Sequence, residues 1–356
     1  MNRLKNKNIY FIVTGAKKAE LAEKMIEEMV SEGASVFTIP TKSSLQFINL
    51  KKLKKIKGNI VKTDWSDKIK LPKEDAVLIS PCTFNTLNCL AAGIADTYPL
   101  CLAASSLGNK VPIFIAPAMN KSLWEHPIIK ENIAKLENWG CRVIWPAIKS
   151  DKVTMIDQGK ILDTLYFHFC RINYQGEKKD SGELNNNLLE YRQKYFDIFK
   201  KVGQYLASNN LNSPTAGCLS IKVQAGILIT SSGSDLVNLK KEELSLIISW
   251  DENEEKIVYI GDGLPSSESP LHCLVHDNYQ DNFVLHFHCP SITYNDKYNQ
   301  YKTKDYIRYG CFETGRRVLE KLRQDKFCIM KYHGEILIGS SINELLAAIN
   351  KFKIKE

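Results

Sequence analysis

The chain of 356 residues is poor in the signals that mark whole classes of protein. None of its ten cysteines forms a C-x-x-C pair and no disulfide spacing recurs, so a stapled secreted scaffold is excluded and reduced thiols in a cytoplasmic protein are expected. No apolar run exceeds strand length, so no bilayer span and no membrane partner are expected, and the basic start is followed by an apolar run too short for a signal peptide. There is no G-x-G-x-x-G fingerprint, and the first histidine is His126. The net charge of +8 has its densest cluster at KKLKKIK (51–57), which lacks the aromatic ladder that stacks bases. No nucleic-acid partner is expected; the basic cluster reads as a solvated face.

What is present has two grammars. Apolar runs at 9–13 (IYFIV), 35–40 (SVFTIP), 76–80 (AVLIS), 111–117 (VPIFIAP) and 141–146 (CRVIWP) alternate with helical stretches such as 19–31 and 127–138. Continuous apolar strands separated by helices predict a parallel sheet covered on both faces. Its ligands would gather at the C-terminal strand ends, which read TGAKK, SPCTFNT and APAMN. The polar stretch 173–187 has no apolar period and is expected to be a linker between a domain at 1–172 and one at 188–356. Beyond it a helix (188–207) precedes closely spaced runs at 219–223, 226–230, 244–250, 256–260, 283–288, 327–333 and 335–339. Helices near 270–277, 313–324 and 342–352 interrupt them. Close succession predicts a largely antiparallel sheet with helices packed on it. The fold class is therefore α/β in both halves, with no internal repeat joining them.

In the first half, the loop Ser80–Thr86 stands between an apolar run and a helix. Its small hydroxyl and amide side chains, with N–H groups at a helix start, suit a phosphate or heterocycle; Thr14-Gly15-Ala16 has the same logic. SPCTFNTLNCLAAGIAD followed by IAPAMNKSLWEHP resembles the FMN-binding cysteine decarboxylases, the phosphopantothenoylcysteine decarboxylases among them, over roughly residues 8–165. The resemblance implies a flavodoxin-like, often trimeric fold. It implies FMN held by Gly15, Ala16, Thr41, Thr83, Asn85, Thr86 and Ala118, with Asn120 on a substrate carboxylate. It also implies a catalytic histidine shortly before AVLIS and a later cysteine. Here those stretches read DWSDKIKLPKED and SDKVTMIDQGKIL, which contain neither. Asp67 or Asp157 would have to substitute, and a carboxylate of ordinary pKa is a poor match for a thiol.

Five of the seven histidines lie in the second half. His286 and His288 are two apart in FVLHFH, so a strand would put both on one face, about 7 Å apart at Cα, where they could share a metal ion. His333 closes another strand-like run, and three imidazoles leave a coordination position open, as catalytic zinc requires. Glu268 follows Ser266 and Ser267 at a strand-to-helix turn, and Ser231-Ser232-Gly233 makes a second hydroxyl-rich turn; both suit a phosphate or carboxylate.

GCLSI, ITSSG, PSSESPLH, LHFH, FETGRRVLEKL and KYHGEILIG, in that order over 188–350, resemble the class II aldolase and adducin family. The resemblance implies His286, His288 and His333 as ligands of a divalent metal, zinc first, and Glu268 as the acid/base. Ser231, Ser232, Gly233, Ser266 and Ser267 would hold a substrate phosphate, and a tyrosine would donate the leaving-group proton, with Tyr294, Tyr298, Tyr301 and Tyr306 as candidates. His272 reads as structural and His276 as a helix-surface residue. Where the resemblance implies an asparagine after Gly217, this chain has Cys218.

The expectation is a two-domain, homo-oligomeric lyase acting on a small phosphorylated or carboxylated hydroxy-carbonyl compound through carbon–carbon cleavage, epimerisation or dehydration. An FMN-dependent decarboxylase of the phosphopantothenoylcysteine type, serving coenzyme A synthesis, and a non-catalytic assembly protein remain as alternatives.

Overall fold

The computed structural model describes residues 2–66, 68–148, 152–170, 172–209, 211 and 217–352, and divides into two compact units, Met1–Cys170 and Arg171–Glu356.

In the first unit the strands are β1 (Asn8–Val13), β2 (Ser35–Pro40), β3 (Asn59–Val61), β4 (Ala76–Cys82), β5 (Ile113–Pro117) and β6 (Arg142–Val143). They form one parallel sheet in the order β3-β2-β1-β4-β5-β6, while β7 (Ala147–Ile148) and β8 (Val153–Thr154) make a separate hairpin. The helices are α1 (Ala22–Ser31), α2 (Leu50–Leu53), α3 (Phe84–Ala91), α4 (Tyr98–Gly108), α5 (Lys121–Trp124), α6 (Ile128–Asn138) and α7 (Gln158–Phe169). Every residue of β4 and β5 is buried, the signature of strands covered on both faces. Two differences from the sequence reading have physical causes. β3 is only three residues long and its central Ile60 faces solvent, so it shows no apolar run. The run 141–146 yields only the two residues of β6, because Pro146 ends the stretch and edge pairing covers Arg142 and Val143 alone.

The second unit carries an eight-stranded sheet of β9 (Gln175–Lys178), β10 (Cys218–Val223), β11 (Gly226–Thr230), β12 (Leu244–Asp251), β13 (Lys256–Ile260), β14 (Phe283–Phe287), β15 (Phe327–Met330) and β16 (Gly334–Gly339). The order is β15-β16-β14-β10-β11-β12-β13-β9, antiparallel except for the last pair. Around it lie α8 (Gly182–Ser208), α9 (Ser269–Asn278), α10 (Pro290–Thr293), α11 (Phe312–Asp325) and α12 (Ile342–Phe352). Strand alternation sorts the core into two layers. Leu219, Ile221, Leu285, Phe287 and Leu337 pack with Phe199 of α8 and Leu345 of α12. Val284, Ile336 and Ile338 pack with Leu271 and Val275 of α9 and Val318 of α11. Ser220 and His286, lying between the first set along β10 and β14, therefore share the face of α9 and α11.

The expected linker 173–187 is not one. Gln175–Lys178 joins the sheet edge beside Lys256–Tyr259, and α8 begins at Gly182, six residues earlier than the apolar period announces. Polar residues suffice there because an edge strand is held by its backbone, with Glu177 paired to Lys179 and Lys256 at its exposed rim. Among the described residues no helix is long and apolar enough to cross a membrane.

Candidate functional site

In the first unit the residues expected around a flavin all stand at the C-terminal ends of four adjacent strands, β2, β1, β4 and β5. Thr14 ties two of these ends together: its hydroxyl donates to Pro81 O at 2.7 Å and accepts from Thr83 N at 3.0 Å. Thr41 N bonds Val13 O, and Ala118 N bonds Cys82 O. Thr83 caps α3, accepting from Thr86 N, so Asn85 and Thr86 occupy the first turn of a helix whose N–H groups face the strand ends. Asn120 is an exposed cap whose Oδ1 accepts from Leu123 N at 2.9 Å. Asp157 likewise caps α7 through Gly159 N, and Asp67 lies outside the described residues. Gly15 packs directly on Ser43: a Cβ there would fall 2.4 Å from Ser43 Oγ and 2.9 Å from its backbone carbon.

The second unit gathers its expected residues more tightly. His286 lies on β14 at 2% exposure, His288 just beyond its end, and His333 across from both. His333 is not at the end of a strand as the sequence suggests. β15 stops at Met330 and residues 331–333 form the turn into β16, with Tyr332 at φ 60° and His333 N bonded to Met330 O. The tight turn swings the third ring toward the other two. Ring centroids are 4.7–5.2 Å apart, and one nitrogen from each ring lies within 4.8 Å of the others.

The tautomers favour a cation. His286 Nδ1 lies 2.8 Å from the Glu335 carbonyl oxygen, which can only accept, so Nδ1 carries the hydrogen and Nε2 presents a lone pair. That lone pair faces His288 Nε2 at 2.8 Å. An all-imidazole donor set in this spacing fits a divalent ion such as zinc. Glu335 is fully buried, its oxygens held by Cys289 N and Thr293 Oγ1, and burial pushes its carboxyl up to about 8.

Glu268 reaches the same place from the opposite side. Pro270 at the start of α9 sets the helix to begin there, leaving Glu268 at its N-cap, 4% exposed, with Oε1 3.5 Å from His333 Nε2. The two hydroxyl turns are knitted to each other. Ser266 N donates to Thr230 O at 2.9 Å, Ser232 N to Leu264 O at 2.7 Å, and Ser231 pairs with Pro265 as an isolated bridge. Ser231, Ser266 and Glu268 are buried, whereas Ser267 and Ser232 are half-buried and Gly233 is exposed. Of the four candidate tyrosines, Tyr294 stacks on Tyr332, next to His333, and burial pushes its hydroxyl up to about 12. Tyr298 is buried in the core, Tyr301 packs on Phe327, and Tyr306 is half-buried on the loop before α11. Tyr332 escapes a sequence reading because only the turn brings it beside Tyr294.

Beneath the site runs a polar chain. Cys218 Sγ lies 3.1 Å from His272 Nε2, and Ser220 Oγ lies 2.7 Å from His272 Nδ1 and 2.8 Å from His276 Nε2. His276 is thus no surface residue: at 1% exposure it shares with His272, four positions earlier, the face of α9 that packs on β10. Burial holds its pKa down, to about 3. A histidine kept neutral in the fold but free to protonate when unfolded stabilises fully above about pH 6.5, and that stability is lost as pH falls toward 3. From His276 alone, the protection of the β10 amides against hydrogen exchange, corrected for intrinsic rates, should be about 2 kcal/mol lower at pH 5 than at pH 7, with buried His272 adding in the same direction. In His276→Asn the difference should shrink; equal protection at both pH values in the native chain would contradict the assignment.

Comparisons with known proteins agree with this division. The flavoprotein family profile matches residues 1–166, and that of the class II aldolase and adducin N-terminal domain matches residues 199–352. The coenzyme A biosynthesis bifunctional protein CoaBC of Thermococcus kodakarensis is 32% identical over 158 residues, covering 42% of this chain and 39% of that protein. The "Probable phosphopantothenoylcysteine decarboxylase" of Streptococcus mutans is 35% identical over 149 residues, 39% of this chain and 83% of that protein. Among solved structures, the FMN binding protein AtHal3 is 23% identical with a TM-score of 0.41, covering 46% of this chain and 97% of that one. The chain spans less than half the length of the CoaBC relatives it matches. It belongs to the flavoprotein family through residues 1–166 and carries, in residues 199–352, a class II aldolase and adducin domain.

Proposed function

We propose that the second unit is a metal-dependent lyase centre acting on a small hydroxy-carbonyl compound with an anionic end, a phosphate or a carboxylate. One observation carries the reading: three imidazoles converge beside a buried carboxylate, Glu268, that adjoins two hydroxyl-rich turns. His286, His288 and His333 hold the divalent ion, zinc by its donor chemistry. When bound, such an ion supplies Lewis-acid polarisation of a substrate carbonyl. Glu268 removes and returns the proton on the neighbouring carbon. Ser231, Ser232, Gly233, Ser266 and Ser267 fix the anionic end and so hold the reacting carbon within reach of Glu268. Dehydration and epimerisation beside the carbonyl begin with such a proton transfer; cleavage ends with one, when the enediolate left by the broken carbon–carbon bond takes up a proton. The test is metal content in protein purified without chelator or histidine tag, followed by a screen of small sugar phosphates with and without chelator. About one divalent ion per chain and chelator-sensitive turnover are expected; turnover that survives metal removal overturns the proposal.

The first unit has its own reading, supported by its family membership and by the gathering of the expected residues at four adjacent strand ends. It binds FMN, which when bound supplies two-electron redox chemistry. Gly15, Ala16, Thr41, Thr83, Asn85, Thr86 and Ala118 would line that pocket. The names of its relatives suggest decarboxylation of a cysteine-derived carboxylate, held at Asn120, although the expected histidine and cysteine are missing and Asp157 is engaged as a helix cap. Gly15→Ala should weaken FMN about tenfold in a fluorescence-quenching titration, because overpacking of about 1–3 kcal/mol falls on the Ser43 turn. FMN affinity equal to the native chain's would remove Gly15 from the pocket.

A further inference from the structure

We infer that residues 172–178, the stretch by which the chain enters the second unit, are a positioning strap for the anion-binding turns of that unit, fastened by Asn173 and Tyr174. The inference rests on the reading of those turns given above. Just ahead of β9, Tyr174 donates its hydroxyl to Pro265 O at 2.7 Å, and Asn173 donates Nδ2 to Tyr309 O at 2.7 Å; both side chains are buried. Pro265 immediately precedes Ser266 and is the residue bridged to Ser231. Tyr309 precedes Gly310, which sits at φ 66° so close to the same turn that a Cβ would fall 2.7 Å from Ser267 O. The Ser266–Ser267 pair is thus held before Ser266 by the bond to Pro265 O and at Ser267 through Gly310, next to the bonded Tyr309. A third contact reaches the remaining turn. Gly176 lies against Leu264, where a Cβ would meet Cδ2 at 2.6 Å, and Leu264 O is the acceptor of Ser232 N.

The strap itself is anchored independently of the site. Gln175 N bonds Glu255 O, Lys179 N bonds Tyr259 O, and between them β9 pairs with β13. The Tyr174 ring packs among Ile227, Ile229, Ile257 and Phe312, so ring and hydroxyl have separable roles: one fills the core, the other pins a turn. None of these residues lies on β14 or the turn after β15, which carry the three histidines. Metal binding and anion holding are therefore supported by different pieces of chain. A buried carbonyl that loses its donor leaves the turn free to move, and a hydroxyl displaced by about an ångström no longer meets its ligand.

The test uses the full chain loaded with zinc, as the native protein, Tyr174→Phe and Asn173→Ala. Three quantities are read: zinc affinity by chelator competition, affinity for inorganic phosphate by calorimetry, and hydrogen exchange at residues 231–233 and 264–268. The strap requires zinc affinity within about twofold of native, phosphate weakened about tenfold in each variant, and faster exchange at both turns, since one lost hydrogen bond is worth roughly that factor. A tyrosine that only fills the core would lower the unfolding midpoint and leave phosphate affinity and exchange at the turns as they were, which overturns the strap. Native protein that takes zinc but no phosphate, with exchange still accelerated in the variants, overturns the anion reading and upholds the strap's grip on the turns.

Discussion

His288→Ala is expected to leave the chain folded and to weaken zinc by more than about a hundredfold, with turnover lost in step. The expectation follows from where the histidine stands. It is half-buried just beyond the end of β14, and its Nε2 faces that of His286 at 2.8 Å. Altering a group that merely supports a metal ligand costs about 10–100-fold in affinity, so deleting one of three ligands exceeds that. The fold should tolerate the change. The residues that pack the sheet here, Val284, Leu285 and Phe287, precede it, and the adjoining Cys289 N bond to Glu335 Oε2 is made by backbone. Chelator competition measures the affinity, and the melting transition of the metal-free protein supplies the control. A variant that holds zinc as tightly as the native chain would dissolve the triad as a metal centre. One that melts far lower without metal would make His288 a packing residue.

How much of this was readable beforehand depended on whether a residue's role is local. β1, β2, β4 and β5 announce themselves because a strand covered on both faces must be apolar throughout, and the hydroxyl loops after them mark the strand ends where the first unit's proposed site lies. β9 was invisible for the opposite reason: QGEK has no apolar face, and its place is set by backbone pairing with residues about eighty positions later. Asn173 and Tyr174 were unreadable for the same cause, since their partners are carbonyl oxygens 136 and 91 positions away. Backbone acceptors leave no trace in residue type.

The histidines divide along the same line. His286 and His288 were legible because strand period alone puts them together, and the ordered motifs around them point to one family. His333 does converge with them, but from a turn and not from the strand end that the continuous run FCIMKYH suggests. The left-handed Tyr332 that breaks it is a property of the turn rather than of composition. His276 was misplaced by its polarity. Ser220, hidden on the sheet face below α9, gives this buried imidazole a hydrogen bond, and nothing in the sequence of α9 reveals that serine.

Glu268→Gln should separate holding the ion from moving the proton. The amide keeps the shape of a side chain that is 4% exposed and sits at the N-cap of α9, so the turn Ser266–Glu268 and the three histidines stay in place and zinc content remains about one per chain. What is lost is the group that accepts a proton. General acid–base catalysis by a positioned side chain contributes about 10²–10⁴-fold, and turnover should fall by that factor with zinc still bound. Deuterium wash-in from heavy water into a small hydroxy-carbonyl phosphate, followed by NMR, reads this step independently of any carbon–carbon or carbon–oxygen bond change. With the native chain the hydrogen beside the carbonyl should exchange, as the first step of epimerisation, of dehydration or of the condensation that reverses cleavage; with the variant the exchange should nearly stop. Exchange at the native rate would take the base away from Glu268. Loss of exchange together with loss of zinc would make the carboxylate, 3.5 Å from His333, a support for the triad instead of the group that carries the proton.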